Sequence, residues 1–127
     1  MISQAQRVSP QEACGLLFGY KKGDFYQVLE VKPVKNELQS RTHFRMDASE
    51  QIQIFLKMEK LGLELVGIFH SHPCGPDYPS NTDIQEAYYP EAIFLILSPK
   101  VVGWVINGYI IQEHKAVQVK IELYNKD

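Results

Sequence analysis

An α/β protein with a mixed β-sheet is the fold class this sequence predicts. Three observations point to it. Apolar stretches of strand length recur, at Ala13 to Tyr20, Leu63 to Phe69, Ala92 to Ser98 and Val101 to Ile106. One segment, Asp47 to Lys60, instead carries apolar residues at helical spacing. The resulting order is a β-hairpin, a helix, a strand, a short helix and then strands, which suits helices packed on a sheet.

The elements follow in order. Ser9-Pro10-Gln11-Glu12 reads as a helical start, with Ser as N-cap, Pro at the first position and Glu at the third. Ala13 to Tyr20 is an apolar strand. Lys21-Lys22-Gly23-Asp24 is a turn, and Phe25 to Val34 alternates as the return strand. Asn36 to Thr42 is a polar loop with little pattern. Asp47 caps a helix, with Glu50 three residues on. Ile52, Phe55, Leu56, Met58 (less well placed) and Leu61 form its stripe to about Lys60, and Gly62 stops it. The β-rich run Leu63 to Phe69 ends at His70-Ser71-His72-Pro73, and an irregular loop runs from Cys74 to Pro79. Ser80-Asn81-Thr82-Asp83 opens a short helix through about Tyr88, before Pro90. Ala92 to Ser98 and Val101 to Ile106 are apolar strands. Tyr109 to Gln112 and Ala116 to Tyr124 complete the sheet as a hairpin around His114-Lys115.

The length of 127 residues suits one domain, 1–127. With 45% hydrophobic and 22% charged residues the composition is that of a soluble globular protein, which excludes disorder and collagen-like fibres. Thirteen Lys and Arg against fifteen Asp and Glu give a formal charge of −2. That balance argues against nucleic acid as a partner. No apolar run approaches the ~20 residues of a membrane helix, so no membrane partner is expected. The polar segment Met1 to Gln11 has no apolar signal core, and two cysteines, Cys14 and Cys74, do not make a disulfide framework. The expected setting is cytoplasmic.

His70, His72 and Asp83 carry the chemistry. Side chains two apart on a strand face the same side, so the two imidazoles converge. Ten positions, Pro73 to Thr82, separate them from Asp83, and a loop of that length brings the next helix start back over the strand end. Two imidazoles and a carboxylate are a ligand set that zinc prefers, at ~2.0–2.2 Å. Three protein ligands leave the fourth position of the tetrahedron for water, which marks a catalytic site with one Zn2+ per chain. Glu12 is the leading candidate for the base that takes a proton from that water and hands it to a leaving amine. Ser80 is placed to donate a hydrogen bond to a developing oxyanion.

These residues resemble the JAMM motif of the JAB1/MPN/Mov34 metalloenzyme family: a glutamate, a distant His-x-His, ten residues and an aspartate, with a serine three before it. Context adds to the resemblance, in Pro10-x-Glu12-x-Cys14-Gly15-Leu16-Leu17, Gly67-Ile68-Phe69 and Pro79-Ser80. It extends from about Ser9 to Ile106. The family implies a curved mixed β-sheet flanked by helices, the cytidine-deaminase-like MPN/JAMM fold. Its active members are zinc metallopeptidases that cut amide or isopeptide bonds after the Gly-Gly tail of ubiquitin, or after the tail of sulfur-carrier proteins. Carried over, His70, His72 and Asp83 hold zinc, Glu12 is the acid/base and Ser80 supports the oxyanion. The chain lacks the long insertions of eukaryotic deubiquitinases in the family, pointing to the compact prokaryotic type. Only Met1 to Val8 is available for the helix that usually precedes the Pro-x-Glu segment.

Other readings compete. Ser9 with Glu12, and Ser80 with Asp83, also make capping boxes. The second box is disfavoured, because it leaves two convergent imidazoles unexplained. A non-catalytic MPN-type interaction module shares the fold, but such modules usually lose ligands and this chain has lost none. A zinc deaminase needs His-x-Glu followed by Pro-Cys-x-x-Cys, which is missing. A cysteine protease would pair Cys14 or Cys74 with a histidine. Cys14 reads as buried packing and Cys74 as a loop thiol. His43 and His114 read as surface residues, with His43 a candidate for the rim of a substrate groove.

Overall fold

The computed structural model describes residues 1–87 and 89–122. Tyr88 and Tyr124, expected at the ends of the short helix and the last strand, lie outside the described residues, and both elements stop earlier, at Gln85 and Val119. Among the described residues, six strands hydrogen-bond into one sheet: β1 (Cys14–Lys22), β2 (Phe25–Val34), β3 (Glu64–Ser71), β4 (Ile93–Pro99), β5 (Trp104–Gln112) and β6 (Lys115–Val119). Their order across the sheet is β2-β1-β3-β4-β5-β6. The β3–β4 pair is parallel and the other neighbours are antiparallel, so the sheet is mixed as expected. A parallel pair needs a crossover connection. Here that crossover, residues 72–92, contains α3 (Asn81–Gln85).

Side chains alternate between two apolar layers. Cys14, Leu16 and Phe18 of β1, with Ile68, Phe94, Ile96, Tyr109 and Ile111, face α2 (Ala48–Lys60) through Ile54, Phe55 and Met58. Leu17, Phe69, Ile93, Leu95 and Leu97 face the other side, against Ile2, Ala5 and Val8 of α1 (Ile2–Val8). A bulge keeps the strands in phase: Leu17 pairs with Gly67 but Phe18 with Leu65, leaving Val66 as the extra residue. Val66 therefore packs on the α1 side, whereas Leu65 and Ile68 lie on the α2 side. Gly15 is required by a close approach, since a Cβ there would run into the Phe69 ring and the Lys32 carbonyl.

Four expectations need correction. The apolar face of α2 is not the expected stripe: Ile52, Leu56 and Leu61 are exposed, and Met58, with Ile54 and Phe55 beside it, packs on the sheet. The segment Ser9–Glu12 does not start a helix. It follows one: α1 ends with the Ser9 N–H donating to the Ala5 carbonyl at 3.0 Å, and the Glu12 N–H leaves for Ser40. Met1, Ile2, Ala5 and Val8 form a short apolar stripe hidden in a segment that reads as polar. Val101 and Val102 are not strand residues. They protrude fully into solvent in the turn before Gly103, whose φ of 74° suits glycine. The two expected segments Val101–Ile106 and Tyr109–Gln112 are instead one strand, β5, which pairs with β4 straight through Asn107 and Gly108. By contrast, the bounds of β2 and the Asp47 cap of α2 are as expected, with the Glu50 N–H donating to Asp47 Oδ1 at 2.9 Å.

Candidate metal centre

β1 and β3 lie side by side in the middle of the sheet, with Cys14 opposite His70. Their junction puts the residue before β1, Glu12, next to the end of β3. Ser71, between the two histidines, points to the opposite face and is fully buried. Its Oγ accepts the Ala13 N–H at 2.7 Å and its N–H donates to the Ala13 carbonyl at 2.9 Å. The start of β1 is thus fastened to the strand that carries the histidines.

His70 and His72 are both buried, and their Nε2 atoms approach to 3.0 Å. Asp83 Oδ2 lies 3.3 Å from His70 Nε2 and 3.1 Å from His72 Nε2. The three atoms make a nearly equilateral triangle. Ligands ~2.0–2.1 Å from a tetrahedral ion stand about 3.3–3.4 Å apart, so these edges suit one small cation. The donor chemistry agrees. His72 Nδ1 lies 2.8 Å from the Pro76 carbonyl, which can only accept, so Nδ1 carries the proton. A neutral His72 then turns an Nε2 lone pair toward a carboxylate oxygen. Two lone pairs at that distance call for a cation between them or for a second proton on the ring. His70 Nδ1 is buried without a hydrogen-bond partner among the described residues, so the outward capacity of that ring also lies at Nε2. The Phe44 ring stacks on His70, with centroids 4.6 Å apart and planes at 23°, and covers the ligand.

A carboxylate oxygen of Glu12 and one ring nitrogen from each histidine lie within 4.8 Å of one another. Glu12 is therefore also able to ligate, and two observations rank it behind Asp83. The Asp83 contacts are the shorter ones. Their surroundings also set the two carboxyl groups apart in charge: burial pushes Glu12 up to about 8. At Asp83 the effect of burial is overcome by hydrogen bonds to both histidines, which hold the carboxyl well below the usual range. Burial lowers the pKa of His70. For His72 burial acts downward too, but the Asp83 and Pro76 hydrogen bonds with the Asp83 and Glu12 charges raise it overall.

The second capping box, disfavoured from sequence, is present. The Asp83 N–H donates to Ser80 Oγ at 3.0 Å, and the Ser80 N–H donates to Asp83 Oδ2 at 2.8 Å. Capping and facing the histidines are compatible because one carboxylate oxygen offers two lone pairs. The box aims Asp83 Oδ2 instead of competing for it. Ser80 Oγ is used there as an acceptor, which leaves its own proton available.

Sequence reasoning did not find the residues that hold this centre. Asn107 Nδ2 and Tyr109 Oη donate to the Asp77 carbonyl at 3.2 and 2.7 Å, fixing the loop whose Pro76 carbonyl orients His72. Asn36 Nδ2 donates to the Glu12 carbonyl at 3.1 Å. The signal available for Asn36 was local: its Oδ1 accepts the Leu38 N–H, an Asx turn that opens the loop. Cys74 is exposed and Cys14 buried, both free, and His43 and His114 are exposed.

The chain matches the family described as prokaryotic homologs of the JAB domain over residues 1–116. It is similar to the desampylase of Pyrococcus furiosus, 35% identical over 115 residues, covering 89% of this chain and 76% of that one. It is also similar to the CysO-cysteine peptidase of Mycobacterium tuberculosis, 35% identical over 100 residues, covering 79% and 67% of the two chains. Among solved structures it superposes on protein DSY2949 of Desulfitobacterium hafniense with a TM-score of 0.89 at 36% identity, covering 99% and 87%. Motif, sheet and relatives agree, and the chain belongs to the prokaryotic JAB-domain family.

Proposed function

We propose that this protein is a zinc-dependent metallopeptidase that hydrolyses an amide or isopeptide bond after the C-terminal Gly-Gly tail of a ubiquitin-like or sulfur-carrier protein. The observation that carries the reading is the triangle of His70 Nε2, His72 Nε2 and Asp83 Oδ2, with edges of 3.0–3.3 Å, beside the buried Glu12. The relatives named desampylase and CysO-cysteine peptidase support the substrate class. His70, His72 and Asp83 hold the ion. Nitrogen and carboxylate donors in a three-ligand set favour zinc. Zinc, when bound, supplies Lewis acidity that polarises the scissile carbonyl and activates water at neutral pH. Glu12 takes the proton from the attacking water and returns it to the leaving amine. Ser80 donates its free hydroxyl proton to the developing oxyanion. An extended tail can add along a sheet edge, and glycines suit a narrow approach to the centre.

The reading takes residues 1–127 as one domain, supported by a single sheet that spans residues 14–119. The described residues include no helix long and apolar enough to cross a membrane. The two free cysteines favour a reducing, cytoplasmic setting.

The test is hydrolysis of a carrier protein linked through its Gly-Gly terminus. Wild type is expected to be active, to lose activity with a strong chelator and to regain it with zinc. Glu12→Gln should keep the zinc and lose the activity. A zinc-loaded wild type that cleaves no such conjugate would instead favour an interaction module.

A further inference from the structure

We propose that Asn36 is a positioning residue for catalysis: it fixes the backbone of Glu12 and thereby aims the Glu12 carboxyl group. The inference rests on the reading of Glu12 as the proton carrier.

The geometry begins with the backbone of Glu12. Both of its polar groups end on the loop after β2. The Glu12 N–H donates to the Ser40 carbonyl at 2.7 Å, and its carbonyl accepts from Asn36 Nδ2 at 3.1 Å. On the downstream side Ala13 is already fastened to Ser71. Glu12 is therefore the first residue of the chain beyond that fastening, and among the described residues its backbone hydrogen-bond partners both lie on the loop. A glutamate side chain has three rotatable bonds, and a proton carrier has to be placed within ~0.5 Å. Fixing its Cα from both flanking peptide groups removes the largest source of play.

The Asn36 head group is fully engaged. Nδ2 also donates to the His43 carbonyl at 3.1 Å. Oδ1 accepts the N–H groups of Leu38 at 3.1 Å and Arg45 at 3.0 Å. These bonds close the loop around one planar amide and carry Phe44 onto the His70 ring. A single side chain thus spans the proton carrier and the cover of a ligand without touching the reacting atoms. The position needs two donors and two acceptor sites on one short stem. Asp supplies the acceptors without the donors, and Gln sets the head one methylene too far out.

Asn36→Asp is the diagnostic substitution. It keeps the acceptors for Leu38 and Arg45, and so the turn, but sets a carboxylate against the carbonyls of Glu12 and His43. Asn36→Ala removes the head altogether. Arg45→Gln, which breaks the exposed ion pair with Glu37, is the control for loop loosening in general. Three quantities are read on the zinc-loaded protein: kcat and KM on a Gly-Gly-linked carrier conjugate, zinc affinity by chelator competition, and hydrogen exchange of the Glu12 amide.

For Asn36→Asp, kcat is expected to fall about 10–100-fold, the range typical of residues that orient a site from its second layer. KM and zinc affinity should stay within about threefold, because the three ligands and substrate contacts are untouched. The Glu12 amide should exchange at least about tenfold faster than in wild type, as its bonded loop opens. Arg45→Gln should match wild type in all three. The proposal is overturned by a kcat within about twofold of wild type, by an equal loss in Arg45→Gln, or by unchanged Glu12 exchange. Wild type alone also tests it: a Glu12 amide exchanging as fast as an unbonded loop amide would overturn it even if neither variant folds. If Glu12→Gln retains full activity, the reading of Glu12 fails and the Asn36 role falls with it. If Glu12→Gln is inactive and Asn36→Asp is not slowed, only the Asn36 proposal falls.

Discussion

Glu12 places a carboxyl group where water is scarce, and its burial has a cost that depends on pH. With its pKa pushed up from 4.5 to about 8, the folded protein binds a proton that the unfolded chain releases earlier. Glu12 thus favours the fold fully below pH 4.5, and that contribution is lost as pH rises through about 8. In metal-stripped protein, Glu12→Gln should raise the melting temperature more at about pH 8.5 than at about pH 5. An equal change at both would mean that Glu12 is hydrated. Cys14 shows the same physics: burial, with the charges of Glu12 and Glu50, pushes its thiol up to about 12, while Sγ contacts the Val34 carbonyl at 3.3 Å. A thiol reagent at neutral pH should modify Cys74 quickly in native protein and, in Cys74→Ser, modify nothing until unfolding. At this scale the ligands were legible because metal chemistry restricts both residue type and spacing. Asn36, Ser71 and Tyr109 were not, because their work is hydrogen bonding to backbone groups distant in sequence.

The elements explain how the ligands reach their places. His70 and His72 arrive by the two-residue repeat at the end of β3, and this much follows from the sequence. Asp83 arrives because Ser80 caps the five-residue α3 and its capping box orients the carboxylate. Ser80→Ala tests both duties of that residue. Loss of the cap should cost about 1 kcal/mol of stability. Loss of an oxyanion donor should lower kcat about 10²–10³-fold with zinc content unchanged. Lower stability with undiminished kcat would leave Ser80 as a cap alone. The sequence misled where local propensity and context disagreed. Val101 and Val102 favour strands but occupy a turn, and Asn107-Gly108 resembles a break but continues β5 because β4 pairs with it. Ser9-Pro10 resembles a helix start, yet the ladder with Ser71 and the loop bonds of Glu12 prescribe an extended path.

In the whole molecule, two apolar layers bury the central strands β1, β3 and β4, so the centre sits at the end of the most deeply buried part of the sheet. A cation that binds this preformed triangle and not the unfolded chain adds to stability, by about 4 kcal/mol at a free concentration 1,000 times Kd. The mixed sheet was legible from the order of its elements, since the strand pairs flanking a helical crossover require it. The bulge at Val66 was not, because it depends on pairing between β1 and β3. The most direct test of the central claim is the zinc content and affinity of purified wild type, His72→Ala and Asp83→Ala. The expected result is one zinc per chain in wild type, with tight binding lost in both variants. Wild type without zinc, or Asp83→Ala binding as tightly as wild type, would contradict a centre built on His70, His72 and Asp83.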